Sequence, residues 1–257
     1  MTTYERRQSL VQLLQNQSGL RVPELAKVLG VSKGTIRNDL DALEEEGVLT
    51  RVHGGAVLTY QSTHFGYSFG VRYHEQSGSK LMIARRVTTL VEDGASILLD
   101  ASTTVYYLAQ QLAQFHRLRV VTNGIDVARL LVRDSSNTVV LMGGVVAPNG
   151  SSVTGSLCEQ IIRDLHVQKA FVSCSGFSLE HGLTDVYLAE AELKCKAIGS
   201  AREVFALVDS SKMGMEDLTS FASVNQITRV YTDSSLSAEW TAKLKSAGVA
   251  FTICSAD

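Results

Sequence analysis

The chain has few cysteines, no apolar run near membrane-spanning length and almost no net charge, and each shortage narrows what it can be. Cys158, Cys174, Cys195 and Cys254 stand far apart without a C-x-x-C pair, which argues against both a zinc site and a disulfide framework. Reduced thiols in a cytoplasm are the expectation. The six histidines, His53, His64, His74, His116, His166 and His181, lack metal-ligand spacing, so no metal and no cofactor is expected. No apolar stretch approaches the ~18 residues a membrane span needs, and MTTYERRQSL holds no apolar segment ahead of a small-residue cleavage site. A soluble cytoplasmic protein with no membrane partner follows as the expectation. Also missing are G-x-x-x-x-G-K-[ST], G-x-G-x-x-G and a serine-centred nucleophile elbow, so neither a nucleotide-binding loop nor a hydrolase motif is visible.

A net charge of −2 does not advertise a nucleic-acid binder. Residues 1–57 carry seven basic side chains (Arg6, Arg7, Arg21, Lys27, Lys33, Arg37, Arg51) against seven acidic ones (Glu5, Glu24, Asp39, Asp41, Glu44, Glu45, Glu46). Any case for DNA must therefore rest on where those charges sit. The length of 257 residues exceeds the ~100 to 200 typical of one domain, so two domains, or a domain with an appendage, are expected.

Leu10, Val11 and Leu14 recur at helical steps between Tyr4 and Leu14. A second helix starts near Pro23 and ends at Gly30, and Ser32 is a suitable N-cap for a third, KGTIRNDLDALEEE, which Gly47 closes. Two short helices around a glycine-containing turn make a helix-turn-helix. On the third helix Ile36, Leu40 and Leu43 form the inward stripe. Lys33, Gly34, Thr35, Arg37 and Asn38 face outward near its N-terminus, the end that enters a major groove in such motifs. VLTRVHGGAVL then reads as a hairpin, a wing on which Arg51 and His53 can reach phosphate or the minor groove. The expected DNA-contacting set is Ser32, Lys33, Gly34, Thr35, Arg37, Asn38, Arg51 and His53.

Residues 1–57 are thus assigned to a winged helix-turn-helix domain, and the Gly-, Ser- and Tyr-rich residues 58–78 to a linker. From 79 to 257 apolar strands alternate with amphipathic helices, which implies a largely parallel sheet covered by helices. Ligands of such sheets bind beyond the carboxyl ends of the strands. Those exits are rich in small polar groups: Asp100 to Thr104, Thr122-Asn123-Gly124, Gly143-Gly144, Ser173 to Gly176 and Asp209 to Lys212. Ser102, Thr103 and Thr104 sit where a strand becomes a helix. There, hydroxyls and free N–H groups can meet an anion or serve as an ordinary N-cap. Lys212 can add a point charge, so a phosphorylated polar metabolite is the expected ligand.

VSKGTIRNDLDALEEEGVLTRVHGGAV closely resembles the N-terminal motif of DeoR-family transcriptional regulators. LLDASTT, VVTNG, the paired glycines after a strand, GLTD, AEAELKCKAIGSA and LVDSSK resemble the effector domain of that family, so the likeness covers nearly the whole chain. The resemblance implies a repressor-like, usually oligomeric DNA-binding protein, a dimer or tetramer. Its C-terminal domain would look like ribose-5-phosphate isomerase and sense a sugar phosphate. By that analogy Ser102, Thr103, Thr104 and Lys212 hold phosphate. Asp100, Thr122, Asn123, Gly143, Gly144, Glu190 and Lys194 border the rest of the effector. Where the family often has a second arginine in the recognition helix, this chain has Asn38, a residue that favours adenine over guanine.

The competing reading is a sugar-phosphate isomerase with a DNA-binding appendage. Aldose–ketose isomerisation needs a general base and groups that polarise a carbonyl. Where the isomerases carry an acidic segment after a strand, this chain reads SCSG, residues 173–176, without a carboxylate. Glu190, Glu192 and Lys194 remain on the next helix, but no catalytic residue is assigned, and a ligand-responsive regulator of a carbohydrate operon is the expectation.

Overall fold

The structure, a computed structural model, describes residues 3–16, 20–45, 48–52, 54–58, 69–134, 136–147 and 150–255. The chain divides into two compact units, Met1–Glu75 and Gln76–Asp257.

In the first unit, helices α1 (Thr3–Asn16), α2 (Val22–Leu29) and α3 (Lys33–Glu45) precede strands β1 (Leu49–Val52) and β2 (Gly55–Leu58), with α4 at Phe69–His74. Pro23 sits in the first turn of α2, where its missing N–H costs nothing. The Glu24 carboxylate accepts the Arg21 N–H at 2.8 Å, and Gly30 ends the helix at φ 65°. The Ser32 hydroxyl accepts the Thr35 N–H at 3.0 Å and starts α3. Leu10, Leu14, Leu25, Ile36, Leu40 and Leu49, all within 1% of complete burial, form one core under the three helices and the wing. The wing pairs antiparallel with Leu49 opposite Leu58. Gly55 is required by a close approach, because a Cβ there would lie 2.4 Å from the Leu20 carbonyl oxygen. The expected linker is helical from residue 69 to 74, and residues 59–68 lie outside the described residues, as do Gly47 and His53.

The second unit begins with α5 (Ser77–Thr88), two residues before the pattern predicts. It continues through β3 (Ser96–Leu99), α6 (Thr103–Leu112), β4 (Arg119–Thr122), α7 (Ile125–Leu131), β5 (Thr138–Leu141), β6 (Val145–Val146), β7 (Val153–Thr154), α8 (Ser156–Arg163) and β8 (Val167–Val172). Then come β9 (Gly176–Ser178), β10 (Gly182–Asp185), α9 (Leu188–Gly199), β11 (Ala201–Leu207), a 3-10 turn at Ser210–Lys212, β12 (Thr219–Ala222), β13 (Arg229–Asp233), α10 (Ala238–Ser246) and β14 (Phe251–Cys254). Among the described residues, seven strands form a parallel sheet in the order β14-β13-β11-β8-β3-β4-β5. The chain runs outward from β3 through β4 to β5, then returns to β8 and runs outward the other way. The β3–β8 junction is therefore the point where strand order reverses, the crevice that open parallel sheets use for ligands. Two small antiparallel additions sit beside the main sheet: the β6–β7 hairpin and the sheet β12-β10-β9.

Candidate functional site

The outward face of α3 is polar and unpaired at its N-terminal end. Ser32, Lys33, Gly34, Arg37 and Asn38 are exposed, and Thr35 is half-buried with its hydroxyl 2.8 Å from that of Ser32. Lys33, Arg37 and Asn38 have no side-chain partner among the described residues. The one carboxylate in this stretch is turned inward: Asp39 is 2% exposed and accepts the Arg6 Nε–H at 2.5 Å and the Arg7 Nε–H at 3.3 Å. The basic residues of α1 are thereby spent on fixing α1 to α3. Arg51 differs from the expectation of a free wing cation. Its guanidinium is ion-paired with Asp41 and its N–H donates to Glu44 at 2.7 Å, both on α3. These contacts bind the wing to the helix.

At the strand-order reversal, Asp100 leaves β3 and Ser173 leaves β8. Asp100 Oδ1 accepts the N–H of Ser102 at 2.9 Å and its hydroxyl. Oδ2 accepts the Ser173 N–H at 2.9 Å and lies 3.3 Å from Lys194 Nζ. A carboxylate has about four acceptor positions, and all are taken. Lys194 is likewise spent, donating to the Ser173 carbonyl at 2.9 Å and to Asp185 Oδ2 at 2.7 Å. Burial would lower its pKa, but Asp185, Asp100 and Glu190 together raise it, so it stays charged. Burial would likewise raise the Asp185 carboxyl; Lys194, with the Ser175 hydroxyl and the Val186 N–H, holds it below the ordinary range. Asp100 and Lys194 thus tie β3, β8, β10 and α9 together at the crevice.

The remaining predicted residues divide into those that brace and those that are open. The Ser102 hydroxyl accepts the Val105 N–H at 3.3 Å, so Ser102 serves as the N-cap of α6. The Thr122 hydroxyl accepts the Gly124 N–H at 2.9 Å within the turn that leaves β4, and the Asn123 amide donates to the Val153 carbonyl at 3.3 Å, which binds that turn to the β6–β7 hairpin. Gly143 is exposed, and its carbonyl accepts the Cys158 thiol at 2.8 Å. Gly144 has φ 147° and permits a backbone approach to Thr154 that a Cβ would block at 2.3 Å. Glu190 Oε1 accepts the Ser152 hydroxyl at 2.6 Å, leaving Oε2 without a bond from a described residue. Thr103 and Thr104 are buried in the first turn of α6, where N–H groups have no intrahelical acceptor. Lys212 is half-buried on the 3-10 turn, its ammonium without a hydrogen bond or ion pair to any described residue. The Asp233 carboxylate fixes that turn by accepting the Ser210 N–H at 2.7 Å and its hydroxyl at 3.0 Å.

Sequence reasoning did not nominate Asp185, Ser152 or Asp209. The first lies within GLTD and the last opens DSSK, so both segments were visible even though the roles were not. The Cys174 thiol marks the middle of the cluster. Burial pushes it up to about 12, Lys212 and Lys194 pull it down, and Asp185 and Asp209 push it further up. It is a neutral thiol at pH 7 and a poor nucleophile. A polar cleft of about 470 Å³, lined by residues that include Asp93, Lys169 and Arg202, lies at the amino ends of β3, β8 and β11, the edge opposite the crevice. No described helix is long and apolar enough to cross a membrane.

Two family models match the chain: a DeoR-like helix-turn-helix domain over residues 6–62 and a DeoR C terminal sensor domain over residues 75–234. The HTH-type transcriptional regulator GolR of Listeria innocua is 37% identical over 249 residues, 97% of this chain and 98% of that protein. The lactose phosphotransferase system repressor of Streptococcus mutans is 35% identical over 235 residues, 91% of this chain and 93% of that protein. Among solved structures, ribose 5-phosphate isomerase A of Methanocaldococcus jannaschii aligns with a TM-score of 0.40 at 17% identity, covering 54% of this chain and 55% of that one. With an N-terminal helix-turn-helix unit, a larger α/β unit built on a parallel sheet, and family matches across both, the chain belongs to the DeoR family of transcriptional regulators.

Proposed function

We propose that this DNA-binding regulator is a repressor of a carbohydrate-metabolism operon, that it acts as a homo-oligomer, and that its effector is a phosphorylated sugar bound at the β3–β8 crevice. The observation that carries the DNA half is the unpaired face of α3, where Lys33, Arg37 and Asn38 are exposed while Asp39 is buried behind them. A helix with that face can follow a major groove, and two copies would read half-sites ~34 Å or a multiple of it apart. The effector half is supported by the free ammonium of Lys212 and the open first turn of α6, which offer charge and N–H donors to phosphate. A relative named for repression of a lactose phosphotransferase system supports the carbohydrate assignment.

The effector is sensed, not turned over. The SCSG segment after β8 carries no carboxylate and the three protons of Lys194 already have acceptors, which supports a sensor over an enzyme. The test is to select operator duplexes from a random library, then measure their affinity with and without each of a panel of pentose and hexose phosphates. At least one panel member should change operator affinity tenfold or more, which requires only ~1.4 kcal/mol of differential binding. Conversion of any panel member at ~1 s⁻¹ or faster, within the usual enzymatic range, would overturn the non-enzymatic reading.

A further inference from the structure

The two edges of the parallel sheet are finished differently. At the β14 edge the Arg229 guanidinium donates to the Phe251 carbonyl at 3.0 Å and lies 3.4 Å from the Thr252 hydroxyl, which places a charge there. The β5 edge has none. Residues 135–158, which run from the approach to β5 through the β6–β7 hairpin into α8, contain no Asp, Glu, Lys, Arg or His in a chain that is 19% charged. Of the twelve large apolar side chains left exposed among the described residues, five (Val140, Leu141, Val145, Val146 and Leu157) fall in this stretch, so its surface is apolar as well as neutral. The backbone is open too. Thr138 donates its N–H to the Leu118 carbonyl at 2.8 Å and Met142 to that of Thr122 at 2.9 Å, so the alternation of the ladder turns the N–H and C=O groups of Val139 and Leu141 away from β4. Among the described residues β5 pairs with β4 alone. A strand edge with neither charge nor proline is a template for another strand, and apolar patches beside it mark a contact surface.

We propose that the β5 edge and the adjoining β6–β7 hairpin form a self-association surface, on which a second copy of this chain docks about a two-fold axis with β5 against β5. The inference rests on the homo-oligomer reading and gives it a location. Charge decides the occupant. In a two-fold contact the same patch meets itself, so a charged edge would repel its copy, whereas an uncharged edge is complementary to itself. A partner of another kind would be steered and selected by charges opposite its own, and this stretch offers none. The free backbone groups then fix the register. Antiparallel pairing of Val139 with Leu141 of the second copy, and of Leu141 with its Val139, satisfies both N–H and both C=O groups of each edge. Val140 is thereby placed opposite itself at a non-hydrogen-bonded position, with ~4.5 Å between Cα atoms.

The experiment uses the full chain, unaltered and as Val140→Lys, Val140→Cys and Leu218→Cys. Assembly is read by analytical ultracentrifugation over a concentration series, and covalent pairing by non-reducing electrophoresis after mild oxidation. The unaltered chain should be a dimer or a multiple of one. Val140→Lys sets like charges face to face, so the assembly should fall to half its order or lower, its dissociation constant rising tenfold or more, while circular dichroism stays native because Val140 is exposed in the single chain. Val140→Cys should give a covalent dimer, since ~4.5 Å between Cα atoms lies within the disulfide range of ~4.4–6.8 Å. Leu218→Cys, exposed on the turn before β12, and the unaltered chain with its exposed Cys195 should not. If Val140→Lys loses its native spectrum, the two cysteine variants decide. An oligomer that keeps its order in a folded Val140→Lys, or in which Val140→Cys pairs no faster than Leu218→Cys, would overturn this surface and leave the homo-oligomer reading in place. A monomeric unaltered chain would overturn both, and protection of the Val139 and Leu141 amides from hydrogen exchange in that monomer would mean that the chain covers its own edge.

Discussion

The ion pair between Lys194 and Asp185 is buried on both sides, and each group is the leading charge partner of the other. Removing one member strands the other, which typically costs about 3–5 kcal/mol. Lys194→Met should accordingly lower the melting temperature of the second unit sharply, and Asp185→Asn somewhat less because the amide can still accept from Lys194. The pH dependence has two sides. The Asp185 carboxyl is depressed in the fold, so its contribution is present above the unfolded carboxylate value of ~3.9 and is lost as pH falls through the folded value. Lys194 is raised, so its contribution holds below ~10.4 and is lost as pH rises through the folded value. The contribution of this pair should be flat between those limits, and Asp185→Asn should weaken the acid limb of thermal unfolding; an unchanged acid limb in that variant would refute the assignment. In the first unit Asp39 has the same standing, since Arg6 and Arg7 both reach it. Asp39→Ala should loosen α1 from α3 and weaken DNA binding without altering effector binding, measurable by hydrogen exchange in residues 3–16.

At the level of elements, the parts that the sequence made legible are those with a period. SILL, RVVT and VFAL are short runs, mostly apolar, between helical patterns, and they lie in strands of the parallel sheet, the last of which starts three residues earlier than its apolar run, at Ala201. The helix-turn-helix was equally legible, because Pro23, Gly30 and Ser32 punctuate it for physical reasons: Pro23 lies in the first turn of α2, Gly30 ends that helix in the left-handed region and the Ser32 hydroxyl caps α3. The β6–β7 hairpin and the β12-β10-β9 sheet were not, since two to four residues are too few to establish alternation and their pairing is set by contacts distant in sequence. The same limit applies to the crevice: Asp100, Glu190 and Lys194 were nominated through motifs. The meeting of Ser152 with Glu190, 38 residues apart, leaves no local trace. Glycine supplies a test of the small sheet. Gly182 has φ 68°, and a Cβ there would lie 2.0 Å from the Ala222 carbonyl oxygen, so Gly182→Ala must separate β10 from β12. Because both the dihedral and the contact are unfavourable, the loss should exceed ~1 kcal/mol in denaturant unfolding. Asp185 ends β10, so effector affinity should fall with it.

For the whole molecule, the two units carry separable chemistry that linkage makes interdependent. Arg37 faces outward without a partner on α3, and Lys212 does the same on the turn after β11. Arg37→Ala should weaken operator binding and, if it meets a phosphate, reduce the slope of log affinity against log salt by about 0.9, while effector affinity measured without DNA stays as before. Lys212→Ala should leave DNA affinity without effector unchanged and abolish the response to it. Equal loss of both activities in either variant would indicate misfolding. The decisive measurement is reciprocal. If the effector changes operator affinity by some factor, saturating operator must change effector affinity by that same factor, because both report one coupling free energy. Calorimetric titration of the effector into the free protein and into its operator complex gives one factor, and operator binding with and without effector gives the other. Agreement within error would establish that occupancy of the crevice and of the α3 face is a single linked equilibrium, whereas unequal factors would mean that the sugar acts on a second species, such as a different oligomer, and that assembly carries the signal.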